Sequence, residues 1–357
     1  MKQPSDNKGH TSTQMARAVL EWYDAHGRDL PWRSKGGPPP DPYGVWLSEI
    51  MAQQTTVATV GPYYASFINK WPTVADLARA SLDDVLHAWQ GLGYYARARN
   101  LHKCARIVAD EYGGCFPDNE PELRKLPGIG PYTAAAIAAI AFGRRSVPVD
   151  GNVERVVSRL YRIGDSGPVL KTRVGEAAAP LVPERSGDFW QAVMDLGATV
   201  CRPKGPICDI CPLAMYCQAR DGGNPEEFPR KKKKAAKPTR YGVAFLGIGP
   251  ANGMILRRRP LSGLLGGMTE VPSTDWREQP WDTGEAVLFA PALSDWRRLD
   301  GVVRHTFTHF HLELSVVTGN IAAGSLIDGF WCLPEELENQ ALPTVMKKII
   351  RRRTSGS

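Results

Sequence analysis

The stretch LPGIGPYTAAAIAAIAFG, residues 126–143, decides how the first half of the chain folds. Pro127, Gly128 and Gly130 predict a tight turn that only small residues tolerate, and an alanine-rich helix follows until Gly143 ends it. The free backbone N–H groups at the start of such a helix suit a phosphate. From this segment alone, a phosphate site and an ordinary helix–turn–helix connection both remain open.

The sequence around this stretch predicts an all-α domain followed by a smaller α+β domain. Apolar residues recur at spacings of three and four from residue 16 to about 217, with Gly and Pro at the turns. The next segment, which includes PRKKKKAAK, lacks apolar periodicity. Beyond it YGVAFLGIGPANGMILRRRP alternates and carries the hairpin signal Asn252–Gly253, VVRHTFTHFHLELSVVTG is strand-like, and LPTVMKKIIRRR predicts a closing helix. We expect a flexible N-terminus (1–15), a helical domain (16–217), a flexible basic linker (218–240), an α+β domain (241–350) and a tail (351–357).

Length and charge narrow the class of protein. A chain of 357 residues is too long for a single ordinary hydrophobic core and indicates two domains. The net charge of +7 and the pI near 9.0 favour an anionic partner. The N-terminus MKQPSDNKGHTSTQM lacks the apolar segment of a secretory signal, and the run AAAIAAIAF is too short to span a bilayer. We therefore expect a cytoplasmic protein that has no membrane contact.

Four of the seven cysteines fall within CRPKGPICDICPLAMYC, residues 201–217, with the spacing C-x6-C-x2-C-x5-C. In a reducing compartment such clustered thiols indicate metal binding rather than disulfides. Four thiolates can close a tetrahedral zinc site or hold an iron–sulfur cluster. Zinc sites usually pair two short knuckles, and only Cys208 and Cys211 form one here, so the spacing leaves the metal's identity open. The expected ligands are Cys201, Cys208, Cys211 and Cys217.

Two acidic residues lie in segments that suit either structure or catalysis. In DPYGVWLSEIMAQQTT, Glu49 shares a helix face with Trp46 and Gln53, and a carboxyl among such neighbours can acquire the raised pKa that a general acid needs. In VPVDGNVERVVSRL, Asp150 precedes an amphipathic helix. The alternatives are an exposed helix glutamate for Glu49 and a simple N-cap for Asp150.

In this order, LPGIGPYTA, VDGNVERV and the cysteine spacing resemble the endonuclease III superfamily of helix–hairpin–helix DNA glycosylases. Within it, RDLPWR (28–33), WLSEIMAQQT (46–55) and GLGYYARARNLH (91–102) resemble the adenine DNA glycosylases of the MutY family. The resemblance is dense over residues 16 to about 217. It implies a monomer that removes adenine mispaired with 8-oxoguanine or G from double-stranded DNA, and a 4Fe–4S cluster on the four cysteines.

The same resemblance assigns the chemistry. It implies that Glu49 protonates adenine N7, and that Asp150 stabilises the oxocarbenium ion by its charge or by transient attachment. Tyr132 and Asn152 are implied to position these groups. Tyr132 stands where strand-nicking relatives carry a Schiff-base lysine, which implies a monofunctional glycosylase.

Further positions match residues that contact the base or the duplex in the family. Arg28, Leu30, Trp32 and Arg33 match the adenine pocket. Gln54 and Tyr94 match side chains that wedge into the duplex, and Gly128 and Gly130 match amides that bind a backbone phosphate. For Trp32 and Tyr94 the alternative is ordinary core packing.

Residues 241–350 resemble the Nudix-like 8-oxoguanine recognition domain of this family, with RRRPLSGLLGGMTEVP and HTFTHFH as the matching segments. Phe307, Thr308 and His309 are implied to lie near the 8-oxoguanine. Thr308 stands where the family commonly has Ser, and Thr269 stands where relatives have an aromatic residue. The segment TEVPSTDWREQPWD lacks the acidic spacing of Nudix hydrolases, which predicts no pyrophosphatase activity.

Two rival functions remain. The first is an endonuclease III-like glycosylase and AP lyase for damaged pyrimidines, against which Tyr132 and the C-terminal domain argue. The second is a non-enzymatic iron–sulfur DNA-binding regulator, whose function would survive Asp150→Asn.

Overall fold

The computed structural model describes residues 5–35, 37–230 and 236–356, and they form two compact units. The first unit holds the described residues before 80 and those between 100 and 230. The second holds residues 80–99 and the described residues from 236 onward. The second unit is therefore built from two segments that are far apart in sequence.

The first half of the chain is helical, as the periodicity predicts. Its helices are α1 Ser5–His26, α2 Pro42–Ala52, α3 Val57–Lys70, α4 Val74–Arg79, α5 Leu82–Ala88, α6 Ala96–Glu111, α7 Glu120–Leu123, α8 Pro131–Phe142, α9 Gly151–Leu160, α10 Pro168–Ala178, α11 Ser186–Thr199 and α12 Gln218–Asp221. Buried side chains of α1, α9, α10 and α11, among them Val19, Val157 and Trp190, form one continuous core.

The segment that opened the sequence analysis forms the predicted turn and helix. Gly128 has φ +78°, and a Cβ there would lie 3.0 Å from the Cβ of Asn100, so glycine is required at this position. Gly130 is the N-cap of α8 with φ −87°, and open space surrounds it, so the prediction that this turn also needs a small residue at 130 is wrong. Gly143 ends α8 in the left-handed conformation with φ 63°.

Two segments expected to be flexible contain ordered structure. Helix α1 begins at Ser5 and so includes most of the segment 1–15. Within 218–240, α12 is followed by a buried Phe228, whose carbonyl accepts a hydrogen bond from Nε of Arg159 at 3.1 Å. Burial of one aromatic ring anchors this segment to the first unit although its composition is polar. The lysine run of the predicted linker, residues 231–235, lies outside the described residues, as do residues 1–4.

The second unit contains a mixed sheet. Its strands are β1 Thr239–Ile248, β2 Met254–Arg258, β3 Thr269–Glu270, β4 Arg297–Thr306, β5 His311–Asn320 and β6 Phe330–Cys332, and its later helices are α13 Thr283–Val287 and α14 Thr344–Ile350. The strand order is β3-β2-β1-β5-β4, with β6 also paired to β2. β1 and β5 are parallel, and the other pairs are antiparallel. The Asn252–Gly253 signal lies in the β1–β2 connection, as predicted.

Alternation along β1 places apolar side chains on both faces of this sheet. Ala244 and Leu246 face a core that includes Val345 and Ile349. Val243 and Phe245 belong to a smaller cluster on the other side. The predicted tail is partly ordered as a 3-10 turn, Arg351–Gly356, in which Nη1 of Arg353 donates to the carbonyl of Asn252 at 3.2 Å.

Residues 80–99 join the second unit through specific polar contacts. Nη1 of Arg258 lies 2.6 Å from Oδ1 of Asp83. Nε2 of Gln90 donates to the carbonyl of Gln340 at 2.9 Å, and the His87 ring is 2.9 Å from the carbonyl of Glu338. These contacts link residues that are separated by 175 to 251 positions along the chain.

Across residues 5–35, 37–230 and 236–356, no helix has both the length and the apolar character needed to cross a membrane.

Candidate active site

Glu49 and Tyr132 meet inside the first unit. Glu49 lies on α2, whose residues Trp46, Leu47 and Ile50 are buried, so the helix carries the carboxyl into an apolar environment. The hydroxyl of Tyr132, near the start of α8, donates to Oε2 of Glu49 at 2.8 Å. The interpretation of Glu49 as an exposed surface residue is therefore wrong, because its carboxyl is partly buried and hydrogen-bonded.

The environment of Glu49 favours the protonated acid. Burial raises the pKa of Glu49 from 4.5 to about 7, and the charge of Asp150 acts in the same direction. The hydrogen bond from Tyr132 and the charge of Arg33 oppose the rise. A carboxyl with this pKa exchanges its proton near neutral pH, which is the condition for general acid catalysis.

Asp150 is the N-cap of α9, as the local sequence predicts. Its Oδ1 accepts hydrogen bonds from the backbone N–H groups of Asn152 and Val153 at 2.9 and 2.7 Å, and its Oδ2 accepts one from Nδ2 of Asn152 at 2.9 Å. Burial raises the pKa of Asp150, while these three donors act against the rise. The N-cap role does not exclude a catalytic one, because Asp150 is also close enough for its charge to act on Glu49 and Tyr132.

Asn152 is itself held in place. Its Oδ1 accepts a hydrogen bond from Nη2 of Arg155 at 2.9 Å, and Nε of Arg155 donates to the carbonyl of Cys201 at 2.7 Å. Gly197 of α11 makes room for this arrangement, because a Cβ there would lie only 2.6 Å from the Cβ of Asn152. Sequence reasoning missed Arg155 and Gly197, since nothing in their local pattern shows what they contact.

The four residues matched to the adenine pocket line two neighbouring depressions. Trp32 and Arg33 line a small pocket, of about 270 Å³ of empty space, together with Glu49. Arg28 and Leu30 line a more open depression that Arg33 also borders. Trp32 packs edge-on against Tyr64 with ring centroids 5.2 Å apart, so it both packs and borders the pocket.

Asp195, on α11, connects Arg28 with Arg33. Its carboxylate has no exposed surface and accepts hydrogen bonds from both guanidinium groups. Asp195 was not predicted, because an aspartate in a helix has no local signal that identifies a buried ion pair. Gln191 and Met194 of the same helix also line the pocket of Glu49 and were missed for the same reason.

The four clustered cysteines surround one cavity. Cys201, Cys208, Cys211 and Cys217 all line the same small cavity. Nη1 of the buried Arg159 donates to Sγ of Cys201 at 3.3 Å, which suits a sulfur that carries negative charge. Within the described ranges, no three His, Cys, Asp or Glu side chains are grouped so as to hold a metal ion. The all-sulfur donor set around one cavity nevertheless suits an iron–sulfur cluster.

The residues matched to DNA contacts lie at exposed and strained positions. Gln54 and Tyr94 have φ of 58° and 49°, values that non-glycine residues rarely adopt. Tyr94 is 47% exposed, which argues against core packing, and its hydroxyl is hydrogen-bonded to that of Thr308 within the second unit. Gly128 and Gly130 are exposed at the turn before α8.

The β4–β5 hairpin presents the segment matched to 8-oxoguanine recognition. Thr308 and His309 are exposed at its tip, while Phe307 stacks on Trp276 with ring centroids 5.6 Å apart. Thr269 is fully buried in β3, so it offers no surface to a ligand.

Glu270, the first acidic residue of TEVPSTDWREQPWD, is buried as well. It accepts hydrogen bonds from the side chains of Arg257 and Arg259. A carboxylate that is paired in this way is not free to hold a metal ion.

Comparison with known proteins gives consistent matches for both units. Residues 47–175 match the HhH-GPD superfamily base excision DNA repair proteins, and residues 243–352 match the NUDIX domain. The adenine DNA glycosylase of Homo sapiens is 37% identical over 95% of this chain and 74% of its own length. The adenine DNA glycosylase of Mycolicibacterium smegmatis is 43% identical over 58% of this chain and 70% of its own length.

Solved structures resemble the helical part. A thermostable thymine-DNA glycosylase is similar with a TM-score of 0.53 and 29% identity, covering 61% of this chain and 99% of that protein. Endonuclease III in a non-covalent DNA complex gives a TM-score of 0.50 at 24% identity, covering 60% of this chain and 97% of that one. The second likeness supports the fold alone.

Proposed function

Because this chain belongs to the adenine DNA glycosylase family, and is thus a DNA repair enzyme that hydrolyses N-glycosyl bonds, we propose that it excises adenine mispaired with 8-oxoguanine or G. We further propose that it is monofunctional and leaves the DNA strand intact. The observation that carries the proposal is the pairing of Glu49, whose pKa is raised to about 7, with the nearby Asp150. Family membership favours this enzyme over a non-enzymatic DNA-binding regulator.

The geometry divides two roles between the two carboxyls. Asp150 accepts three hydrogen bonds, which favour its ionised form, whereas Glu49 accepts one from Tyr132. The negative charge of Asp150 in turn raises the pKa of Glu49. These hydrogen bonds support an ionised Asp150 beside a protonated Glu49, which is the unequal pair that glycoside cleavage needs.

In the proposed reaction, adenine leaves the base stack and enters the pocket lined by Trp32 and Arg33. Glu49 donates its proton to N7 of the base, so the base departs as a neutral molecule. The electron-deficient sugar left behind is stabilised by the carboxylate of Asp150. Water then adds to the sugar and gives up a proton to the carboxylate that Glu49 has become. Asn152 and Tyr132 orient the two carboxyls through the hydrogen bonds described above.

Two residues support the proposal of a mechanism without a lyase step. Tyr132 occupies the position beside Glu49 where a Schiff-base lysine would be needed, and a phenol cannot form an imine. Lys125, which is near in sequence, is exposed and donates to Glu122 at 2.6 Å. This contact raises the pKa of Lys125, so its amine is held in the protonated, non-nucleophilic form.

We propose that Cys201, Cys208, Cys211 and Cys217 hold one 4Fe–4S cluster. The cluster would cross-link the loop 201–217, and Arg202 and Lys204 on that loop suit DNA phosphates. The donor from Arg159 to the Cys201 sulfur would offset negative charge on the ligand set.

The DNA contacts complete the proposal. The amides at Gly128 and Gly130 suit a backbone phosphate, and Gln54 and Tyr94 suit insertion into the duplex. Phe307, Thr308 and His309 would contact the 8-oxoguanine. The hydroxyl of Thr308 retains the donor and acceptor of the more common Ser, and its methyl group narrows the space beside the lesion.

The test is single-turnover release of adenine from duplexes that carry A opposite 8-oxoguanine, G or T. We expect the fastest release opposite 8-oxoguanine, slower release opposite G, and none from A:T. Equal rates on all three duplexes contradict the specificity. Strand cleavage without alkali or heat contradicts the monofunctional mechanism and favours the glycosylase–lyase alternative.

A further inference from the structure

Asp195 is an ionised carboxylate held between two cations. It accepts hydrogen bonds from the backbone N–H and Nε of Arg28 at 2.9 and 2.7 Å, and from Nη1 and Nη2 of Arg33 at 2.7 and 3.0 Å. Burial acts to raise the pKa of Asp195, but these donors outweigh it and hold the pKa below its ordinary value. Because Arg33 meets both carboxylate oxygens, its guanidinium plane is fixed in one orientation.

Arg33 is positioned between Asp195 and Glu49. Its side chain is 6% exposed, its fork is engaged by Asp195, and it lines the pocket of Glu49. Its Nε, among the described residues, has no hydrogen-bond partner. Asp195 and Glu49 are the carboxyls whose charges act on Arg33. If Asp195 no longer held the guanidinium of Arg33, the charge of Glu49 would attract it.

We infer that Asp195 is a positioning residue. By accepting hydrogen bonds from Nη1 and Nη2 of Arg33, it prevents an ion pair between Arg33 and Glu49 and so leaves the proton on Glu49. The inference rests on the proposed function, because only an acid catalyst needs that proton. A purely structural role for Asp195, in tethering residues 28–33 to α11, predicts lower stability without any change in the pH dependence of the reaction.

The groups around the two carboxyls determine which charge matters. Tyr132 and Asp150 act on Glu49, and Arg28 and Arg33 act on Asp195. The ring centroid of Tyr23 lies 5.8 Å from the guanidinium of Arg33. The charges of Asp188 and Arg185 act on Tyr23. Of the groups that act on the pKa of Glu49, Arg33 is the cation. Movement of Arg33 toward Glu49 would therefore lower the pKa of Glu49.

The experiment measures single-turnover adenine release against pH for the unaltered protein, Asp195→Asn and Asp195→Glu, all bound to the same A:8-oxoguanine duplex. The unaltered rate should fall above about pH 7, as Glu49 loses its proton. Asp195→Asn keeps the shape but removes the charge, so its rate should fall at a pH lower by roughly one unit, with about tenfold slower release at pH 8. Asp195→Glu keeps the charge, and the pH at which its rate falls should stay near that of the unaltered protein.

Asp188→Asn is the matched control, because it removes one negative charge from the same helix but from a carboxylate that pairs with Arg185. Its pH profile should not change.

If Asp195→Asn does not fold, Arg33→Lys replaces it, because an ammonium cannot engage both oxygens of Asp195 and is free to approach Glu49. Arg33→Lys should then move the fall in rate to lower pH, whereas Arg33→Met should not.

The inference is overturned if Asp195→Asn, or Arg33→Lys in its place, loses rate with an unchanged pH profile. It is also overturned if Asp195→Glu shifts the profile as far as Asp195→Asn does. The proposed function fails in a different way: the unaltered protein would then release no adenine at any pH.

Discussion

The candidate site residues of the two compact units differ in their exposure. In the first unit, Glu49, Asp150 and Asp195 are enclosed, and each has defined hydrogen-bond donors. In the second, Thr308 and His309 are exposed at the tip of a hairpin. Under the proposed function, the contrast indicates that the groups for bond cleavage are arranged before DNA binds, whereas the proposed lesion contacts form only with the ligand.

The two units also contain similar buried ion pairs with different surroundings. Each unit buries one carboxylate between two arginines, Asp195 in the first and Glu270 in the second. The local arrangement is the same, but only Asp195 shares its arginine with a pocket that contains a carboxyl of raised pKa. An ion pair of one kind therefore serves different purposes according to what lies beside it.

The largest expected effect is on cleavage in the first unit. Asp150→Asn removes the charge that stabilises the sugar cation but keeps acceptors for the amides of α9, so adenine release should slow by about 10⁴-fold. Affinity for the mismatched duplex should change by less than about threefold, because the lesion contacts lie elsewhere. Release rates and gel-shift affinities measure the two quantities. A parallel loss of affinity would show that chemistry and recognition are not divided between the units.

Glu49→Gln should slow release by about 10³-fold, since the amide has no proton to donate to the base. It should also change stability in a pH-dependent way. The pKa of Glu49 is about 7 in the folded protein and 4.5 ordinarily. Between these pH values the folded protein binds a proton that the unfolded protein has lost. The unaltered protein therefore loses up to about 3 kcal/mol of stability as pH rises from 4.5 to 7.

The glutamine variant does not titrate, so its melting temperature relative to the unaltered protein should be higher at pH 8 than at pH 4. Thermal unfolding at the two pH values measures this difference. The same difference at both values would mean that the carboxyl does not have a raised pKa in the folded protein.

Glu270→Gln tests the second buried ion pair. Removing the charge leaves Arg257 and Arg259 undercompensated, and the free energy of unfolding of the second unit should fall by about 1–3 kcal/mol. At a temperature where the variant is folded, the pH profile of adenine release should match that of the unaltered protein. A shifted profile would remove the distinction between the two ion pairs.

The smallest effect is expected at the hairpin tip. Thr308→Ala removes an exposed hydroxyl, together with its hydrogen bond to Tyr94, and should reduce the preference for 8-oxoguanine over G opposite the adenine by about three- to tenfold. The maximal rate on a saturating A:G duplex should be unchanged, and Thr308→Ser serves as the matched control that keeps the hydroxyl. An equal loss on both duplexes would assign Thr308 to general DNA binding.

Much of the fold followed from local patterns. The helix at Pro131–Phe142, the N-cap at Asp150 and the turn near Asn252 are each encoded by neighbouring residues. Family resemblance pointed to Glu49, although its burial depends on residues that are distant in sequence. Asp195 and Arg155 were missed, because a charged residue in a helix has the same local pattern whether it faces water or a partner.

The assignment of residues 80–99 to the second unit was not predictable for a similar reason. Their helical periodicity is like that of the segments before and after them, and their partners lie about 250 residues later.

That long separation has a consequence for biosynthesis. At about 5–20 residues per second, a ribosome needs roughly 12–50 s to pass from Gln90 to Gln340, whose contact is separated by 250 residues. During this interval α5 has been synthesised but its partners on the second unit have not. The second unit can therefore complete its fold only after Gln340 has been translated, long after residues 80–99.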